Sequence, residues 1–201
     1  MSRPAGAGAA PSSRVAFLVV GLGNPGPRYE RTRHNVGFDV VREVARRWGV
    51  DRFERRYAGE FATGRAGAGG PRVALLLPHT FMNESGRSVS AARGALRVAP
   101  EQVVVVHDEI DLPFGVVRVK QGGGTAGHRG LKSVREGLAS SDFWRVRVGV
   151  GRPDSTDPEI VSRWVLGRFD EPEAAVRELI AAAADALERL VADGGLGADG
   201  A

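Results

Sequence analysis

The chain has 201 residues, 42% hydrophobic and 26% charged, an ordinary globular composition that speaks against a disordered or membrane protein. It contains no cysteine, which excludes disulfides and thiolate chemistry. The formal net charge of +4 permits a polyanionic partner without requiring one. Of its 28 lysines and arginines only Lys120 and Lys132 are lysines, a bias that base composition also produces, so the placement of charge must decide.

Residues 1–13 (MSRPAGAGAAPSS) lack the apolar stretch of a signal peptide and are expected to form a disordered tail. Residues 15–22 (VAFLVVGL) are a short apolar run stopped by Gly23, Asn24, Pro25 and Gly26, the pattern of a buried strand entering a loop. In residues 36–48 the apolar positions Val36, Val40, Val41, Val44 and Trp48 have helical spacing. Residues 72–77 and 103–106 predict two further buried strands. Between them residues 83–97 predict an Ala-rich helix, begun by Asn83 as its cap. Residues 116–120 alternate weakly before Gly122, Gly123 and Gly124. Residues 131–138 predict a short helix, and residues 145–150 (RVRVGV) a half-exposed strand. Helices over residues 157–166 and 171–191 complete a domain spanning 14–193, and a flexible tail is expected over 194–201. Strands alternating with helices predict a single α/β domain with a twisted, mixed but mostly parallel sheet. No apolar run approaches the ~18 residues needed to span a bilayer, so no membrane partner and a cytoplasmic location are expected.

In such sheets functional loops gather where strands end. Polar clusters over 24–35, 79–83 and 107–111 each follow a predicted strand, and the loop 122–130 is a fourth. Gly21, Gly23 and Gly26 match a dinucleotide fingerprint. However, Pro25 and Pro27 delay the helix, and the acids at the required distance, Asp39 and Glu43, fall inside it. Residues 124–133 (GTAGHRGLKS) resemble a phosphate loop, but Leu131 breaks the Gly-Lys-Ser sequence. His107, Asp108, Glu109 and Asp111 invite a metal, yet neighbours on a strand point to opposite faces and no metal-ligand spacing is present. Neither a metal nor a cofactor is expected.

Five blocks remain: VGLGNPGPRYERTRHNVGF over 20–38, LPHTFMNESG over 77–86, VHDEIDLPFG over 106–115, GGGTAGHRGLK over 122–132 and RVRVGVGRP over 145–153. In this order and spacing they resemble bacterial-type peptidyl-tRNA hydrolase across nearly all of residues 15–191. The resemblance implies a monomeric α/β hydrolase that cuts the ester joining a peptide, or N-blocked amino acid, to tRNA. It implies His34 as general base, Asp108 as its orienting carboxylate, and Asn24 and Asn83 as contacts to the blocked end, peptide and ester. Tyr29 and Phe81 would line the site around the tRNA 3′ CCA end, and Lys120 and Arg147 would grip the 5′-phosphate. One position departs: the family's G-H-N-G reads Gly127-His128-Arg129-Gly130 here, so a residue that donates and accepts becomes one that only donates. Arg129 is expected to bind substrate, and His128 has no assigned role. Arg129 also motivates an alternative, an RNA-binding paralogue with weak or no hydrolase activity; an intact His34 and Asp108 speak against it.

The chemistry suits these residue types. Ester hydrolysis near neutral pH needs a base that accepts a proton from water, and an unperturbed imidazole titrates near ~6.5. A carboxylate on the other ring nitrogen fixes the tautomer and stabilises the imidazolium. An Asn amide donates to a developing oxyanion without adding charge.

Overall fold

The computed structural model describes residues 14–195. Phe17–Gly21 (β1) is buried throughout because it is the middle strand of a seven-stranded sheet. Val36–Trp48 (α1) follows, then the hairpin Glu54–Arg56 (β2) and Gly59–Arg65 (β3), and Arg72–Pro78 (β4). Ser85–Leu96 (α2), Val103–Glu109 (β5), Val117–Gln121 (β6) and Arg129–Leu138 (α3) come next. Trp144–Gly149 (β7), Pro158–Leu166 (α4) and Glu173–Ala192 (α5) end the fold. The strand order is β2-β3-β4-β1-β5-β7-β6. The central strands β4, β1, β5 and β7 run parallel, while β2, β3 and β6 are antiparallel to their neighbours.

The two-residue period of a strand divides the core between the sheet's faces. Val19, Leu75, Val104, Val106 and Val148 pack with α1 and α5 on one face. Leu18, Val20, Leu76 and Val105 pack with residues of α2 and α3 on the other. Helix α1 begins almost in contact with the strand ends. A Cβ on Gly37 would lie 2.4 Å from the Val106 carbonyl and 2.6 Å from the backbone of Leu22. This close approach brings the turn before α1, and with it His34, over the C-terminal end of β5.

The α/β class and the parallel core agree with the sequence reading, and most boundaries fall within a few residues. Four details differ. The hairpin β2–β3 was not anticipated, because β2 is exposed at all three positions and carries no apolar alternation. The expected half-exposed strand over 145–150 is β7, buried except at Arg147, because β6 takes the sheet edge beyond it. Asn83 caps no helix: it lies in a 3₁₀ turn, Met82–Glu84, and α2 starts only at Ser85. Asp157 is the cap of α4 rather than its first residue, accepting the Glu159 N–H at 2.7 Å. The expected tail over 1–13 lies outside the described residues, as do residues 196–201. Gly195 of the C-terminal segment still bonds through its N–H to the Leu190 carbonyl at 3.1 Å. No helix among the described residues is long and apolar enough to cross a membrane.

Candidate active site

The site forms where β1, β4 and β5 end. Asn24 lies just beyond β1 and is 7% exposed. Its backbone N–H donates to Asn35 Oδ1, and Asn35 Nδ2 donates to the Asn24 carbonyl, both at 2.9 Å. Asn24 Oδ1 accepts the Met82 N–H at 2.8 Å. A backbone N–H can only donate, so this bond fixes the amide's orientation. The Asn24 Nδ2 is left as a donor with no bond among the described residues, in a side chain that lines the central cavity.

His34 sits in a 3₁₀ turn, Arg33–Asn35, directly before α1. Its Nδ1 lies 2.9 and 3.0 Å from the two carboxylate oxygens of Asp108, the penultimate residue of β5. Burial raises the Asp108 carboxyl, but His34 and His128 facing it outweigh burial and hold it below the usual carboxylate range. An ionised carboxylate only accepts, so His34 Nδ1–H donates and Nε2 keeps its lone pair. Burial alone would lower the His34 pKa. The charge of Asp108 and its hydrogen bond reverse that, against a small lowering by Arg129, and the net direction is upward from 6.5.

His128 has a second hold on the same carboxylate. Its Nδ1 accepts the Gly130 and Leu131 N–H groups at 3.1 and 3.2 Å, capping α3. The neutral ring therefore carries its proton on Nε2, which donates to Asp108 Oδ1 at 2.9 Å. The ligand atoms of His34, Asp108 and His128 lie within 4.8 Å of one another, close enough for a shared cation. The hydrogen bonds argue otherwise. His128 has its one lone pair on backbone N–H groups, and His34 Nδ1 carries a proton toward Asp108. The set orders protons around a carboxylate. His107, on the opposite face of β5, packs edge-to-face on His128 at 5.1 Å. Burial first, and then His128, push its pKa down to about 3, so it is neutral at any physiological pH.

A cavity of about 520 Å³ joins these groups. Seven of the nine residues expected from sequence line it: Asn24, Tyr29, His34, Phe81, Asn83, Asp108 and Arg129. Its far wall is α4, through Val161, Val165 and Leu166. Phe81, 55% exposed, is an apolar ring presented to solvent at the cavity. Arg129 is the first residue of α3 and is exposed. Lys120 and Arg147 lie apart from the cavity, on β6 and β7. Lys120 opposes Arg145, and Arg118 opposes Arg147, so all four cations share one sheet face.

A family model described as peptidyl-tRNA hydrolase matches residues 18–199 of this chain. The chain belongs to the peptidyl-tRNA hydrolase family. The peptidyl-tRNA hydrolase of Syntrophotalea carbinolica is 51% identical over 156 residues, 78% of this chain and 80% of that protein. That of Mycobacterium sp. strain KMS is 49% identical over 182 residues, 89% of this chain and 92% of that one. The crystal structure of peptidyl-tRNA hydrolase from Acinetobacter baumannii superposes with a TM-score of 0.78 at 38% identity, covering 91% of this chain and 92% of that one.

Against the peptidyl-tRNA hydrolase pattern, three site residues escaped the sequence reading. His128 could have been placed by its position before a helix inside a glycine-rich loop, where a cap is needed. Asn35 read only as part of a polar loop cluster, since its bonds go to Asn24, eleven positions back. Arg33 has no role in the sequence reading and is 2% exposed; nothing local in the sequence marks it.

Proposed function

We propose that this chain hydrolyses the ester between a peptide, or an N-blocked amino acid, and tRNA, releasing free tRNA. The observation that carries the reading is His34 Nε2, open to the cavity, on a ring locked by Asp108. A water held by His34 Nε2 attacks the ester carbonyl as its proton passes to that nitrogen, and Asp108 stabilises the imidazolium so formed. The Asn24 Nδ2 donates to the developing oxyanion or to a peptide carbonyl. Collapse of the tetrahedral intermediate breaks the bond to the terminal ribose oxygen, which leaves with the proton from His34. The products are the peptide acid and the tRNA.

Asn83 contacts the peptide, Tyr29 and Phe81 receive the 3′ CCA end, and Lys120 with Arg147 takes the 5′-phosphate. Arg129 adds a charge-assisted donor near the terminal nucleotide. The protein acts as a cytoplasmic monomer. The intact His34–Asp108 pair beside Arg129 supports a hydrolase over a binding-only protein, which has no chemical need of that pair.

The test is release of labelled N-acetyl peptide from tRNA. Wild type should turn over, and His34→Ala should lose at least about 100-fold in kcat, the lower range for general base catalysis. Equal rates for the two would end the reading.

A further inference from the structure

Arg33 is a buried arginine that the chemistry above does not use. Its side chain is 2% exposed, in the residue directly before His34. One terminal nitrogen donates to the Trp164 carbonyl at 3.4 Å and, more closely, to the Arg168 carbonyl. The other bonds to Asp170 Oδ2 at 2.9 Å. The guanidinium also lies 3.8 Å over the Trp164 ring. The backbone follows the same route, with Arg33 N–H donating to Gly167 O at 3.0 Å and Thr32 bridging Arg168. Every one of these contacts reaches the end of α4 or the segment linking it to α5.

Helix α4 needs such a tether. None of its residues is buried, so it has no core face of its own to hold it against the domain. It nevertheless forms the apolar wall of the cavity. A buried guanidinium is costly, and here its Nε has no partner among the described residues, so simple stability is a poor reason for its presence. Its geometric effect is specific. Arg33, His34 and Asn35 are consecutive in one turn, and their side chains reach α4, Asp108 and the Asn24 loop respectively. The turn sets three walls of the cavity relative to the base.

We propose that Arg33 is a positioning residue that holds α4 in register with His34, and that Val161, Val165 and Leu166 of α4 form a subsite for apolar side chains of the peptide. The inference rests on the proposed hydrolase reading. Removing the tether should weaken binding of a substrate whose peptide reaches α4, and leave the chemistry at the ester intact. Interactions shared by ground and transition states change KM and not kcat.

The experiment uses the full chain and two substrates on one tRNA, N-acetylglycyl-tRNA and a tRNA carrying N-acetyl-trileucine. Arg33→Met should raise KM for the trileucyl substrate about tenfold, in the range for losing an apolar pocket contact. KM for the glycyl substrate should move less than about twofold, and kcat should change equally for both. Arg33→Lys should restore part of the discrimination, and Asp170→Ala, which removes only the exposed end of the clamp, should show a smaller change of the same sign. Equal KM changes on both substrates, or a fall only in kcat that follows the folded fraction in thermal unfolding, would overturn the proposal. If Arg33→Met does not fold, the same KM ratio in Asp170→Ala and Arg33→Lys decides. A wild type inactive on both substrates would instead overturn the hydrolase reading itself.

Discussion

At the scale of single residues, the charges around His34 pull its pKa in opposite directions, and this gives a signed test. As the proposed base His34 must be neutral, and Asp108 holds its pKa above 6.5, so kcat/KM should fall as pH drops through a midpoint above that value. Asp108→Asn removes the raising influence and leaves burial and Arg129, which both lower it. The acid limb should move to lower pH, while the plateau falls by about 10²–10⁴-fold because the tautomer is no longer enforced. Arg129→Asn should move the limb upward, since it removes a lowering charge, and the effect should shrink in high salt because Arg129 is exposed. Opposite shifts in the two pH–rate profiles support the arrangement, and a downward shift in Arg129→Asn would contradict it. The pairing of His34 with Asp108 was legible because residue type and motif both point to proton transfer. The bond from His128 to Asp108 was not, since it depends on a helix start that caps through one nitrogen and leaves the other to donate.

At the scale of elements, legibility followed burial. The strands β1, β4 and β5 are almost wholly buried and read as continuous apolar runs. The helix α1 matched its expected bounds because Gly49, in the left-handed region at φ 67°, ends the apolar period cleanly. The crossing of α2 and α3 was invisible, because it rests on absent side chains. A Cβ on Gly86 would lie 1.9 Å from the Ser133 carbonyl oxygen, and one on Gly137 would lie 2.4 Å from that of Gly86. Gly86 N–H also donates to Ser133 Oγ at 2.9 Å. Gly86→Ala must push the helices apart, and should cost at least about 1–3 kcal/mol in urea unfolding. Because α3 carries His128 at its start, kcat should fall further than the folded fraction. A Cβ on Gly94, on the same helix, would have nothing among the described residues within 4 Å, so Gly94→Ala should stabilise by about 0.5–1 kcal/mol. A Gly86→Ala protein with wild-type stability would show that the helices do not need this contact.

At the scale of the whole molecule, the proposed ester chemistry and the proposed phosphate grip fall on different parts of the sheet, and so should separate by mutation. The cavity lies at the C-terminal ends of the parallel strands, whereas Arg118, Lys120, Arg145 and Arg147 share a face of β6 and β7. These four cations are not equivalent. Arg145 is buried and donates to the carbonyls of Gly123 and Gly124, so it braces the glycine loop. Arg147 donates to Glu109 at 3.1 Å and is half-buried. Lys120 is exposed, without a partner among the described residues, and lies over Gly123. An exposed ammonium is the group that a phosphate can reach without displacing a protein partner. Lys120→Ala should therefore weaken tRNA binding and lower the slope of log K against log salt by about 0.9, the value for one phosphate contact on a duplex. Arg147→Gln should act in the same direction on binding, and also perturb Glu109, which loses its partner. A small N-acetyl-aminoacyl ester without the tRNA body touches only the cavity, and its hydrolysis should hardly change in Lys120→Ala. If Lys120→Ala slowed the small ester as much as the full tRNA substrate, Lys120 would act through the cavity, and the phosphate assignment would fall.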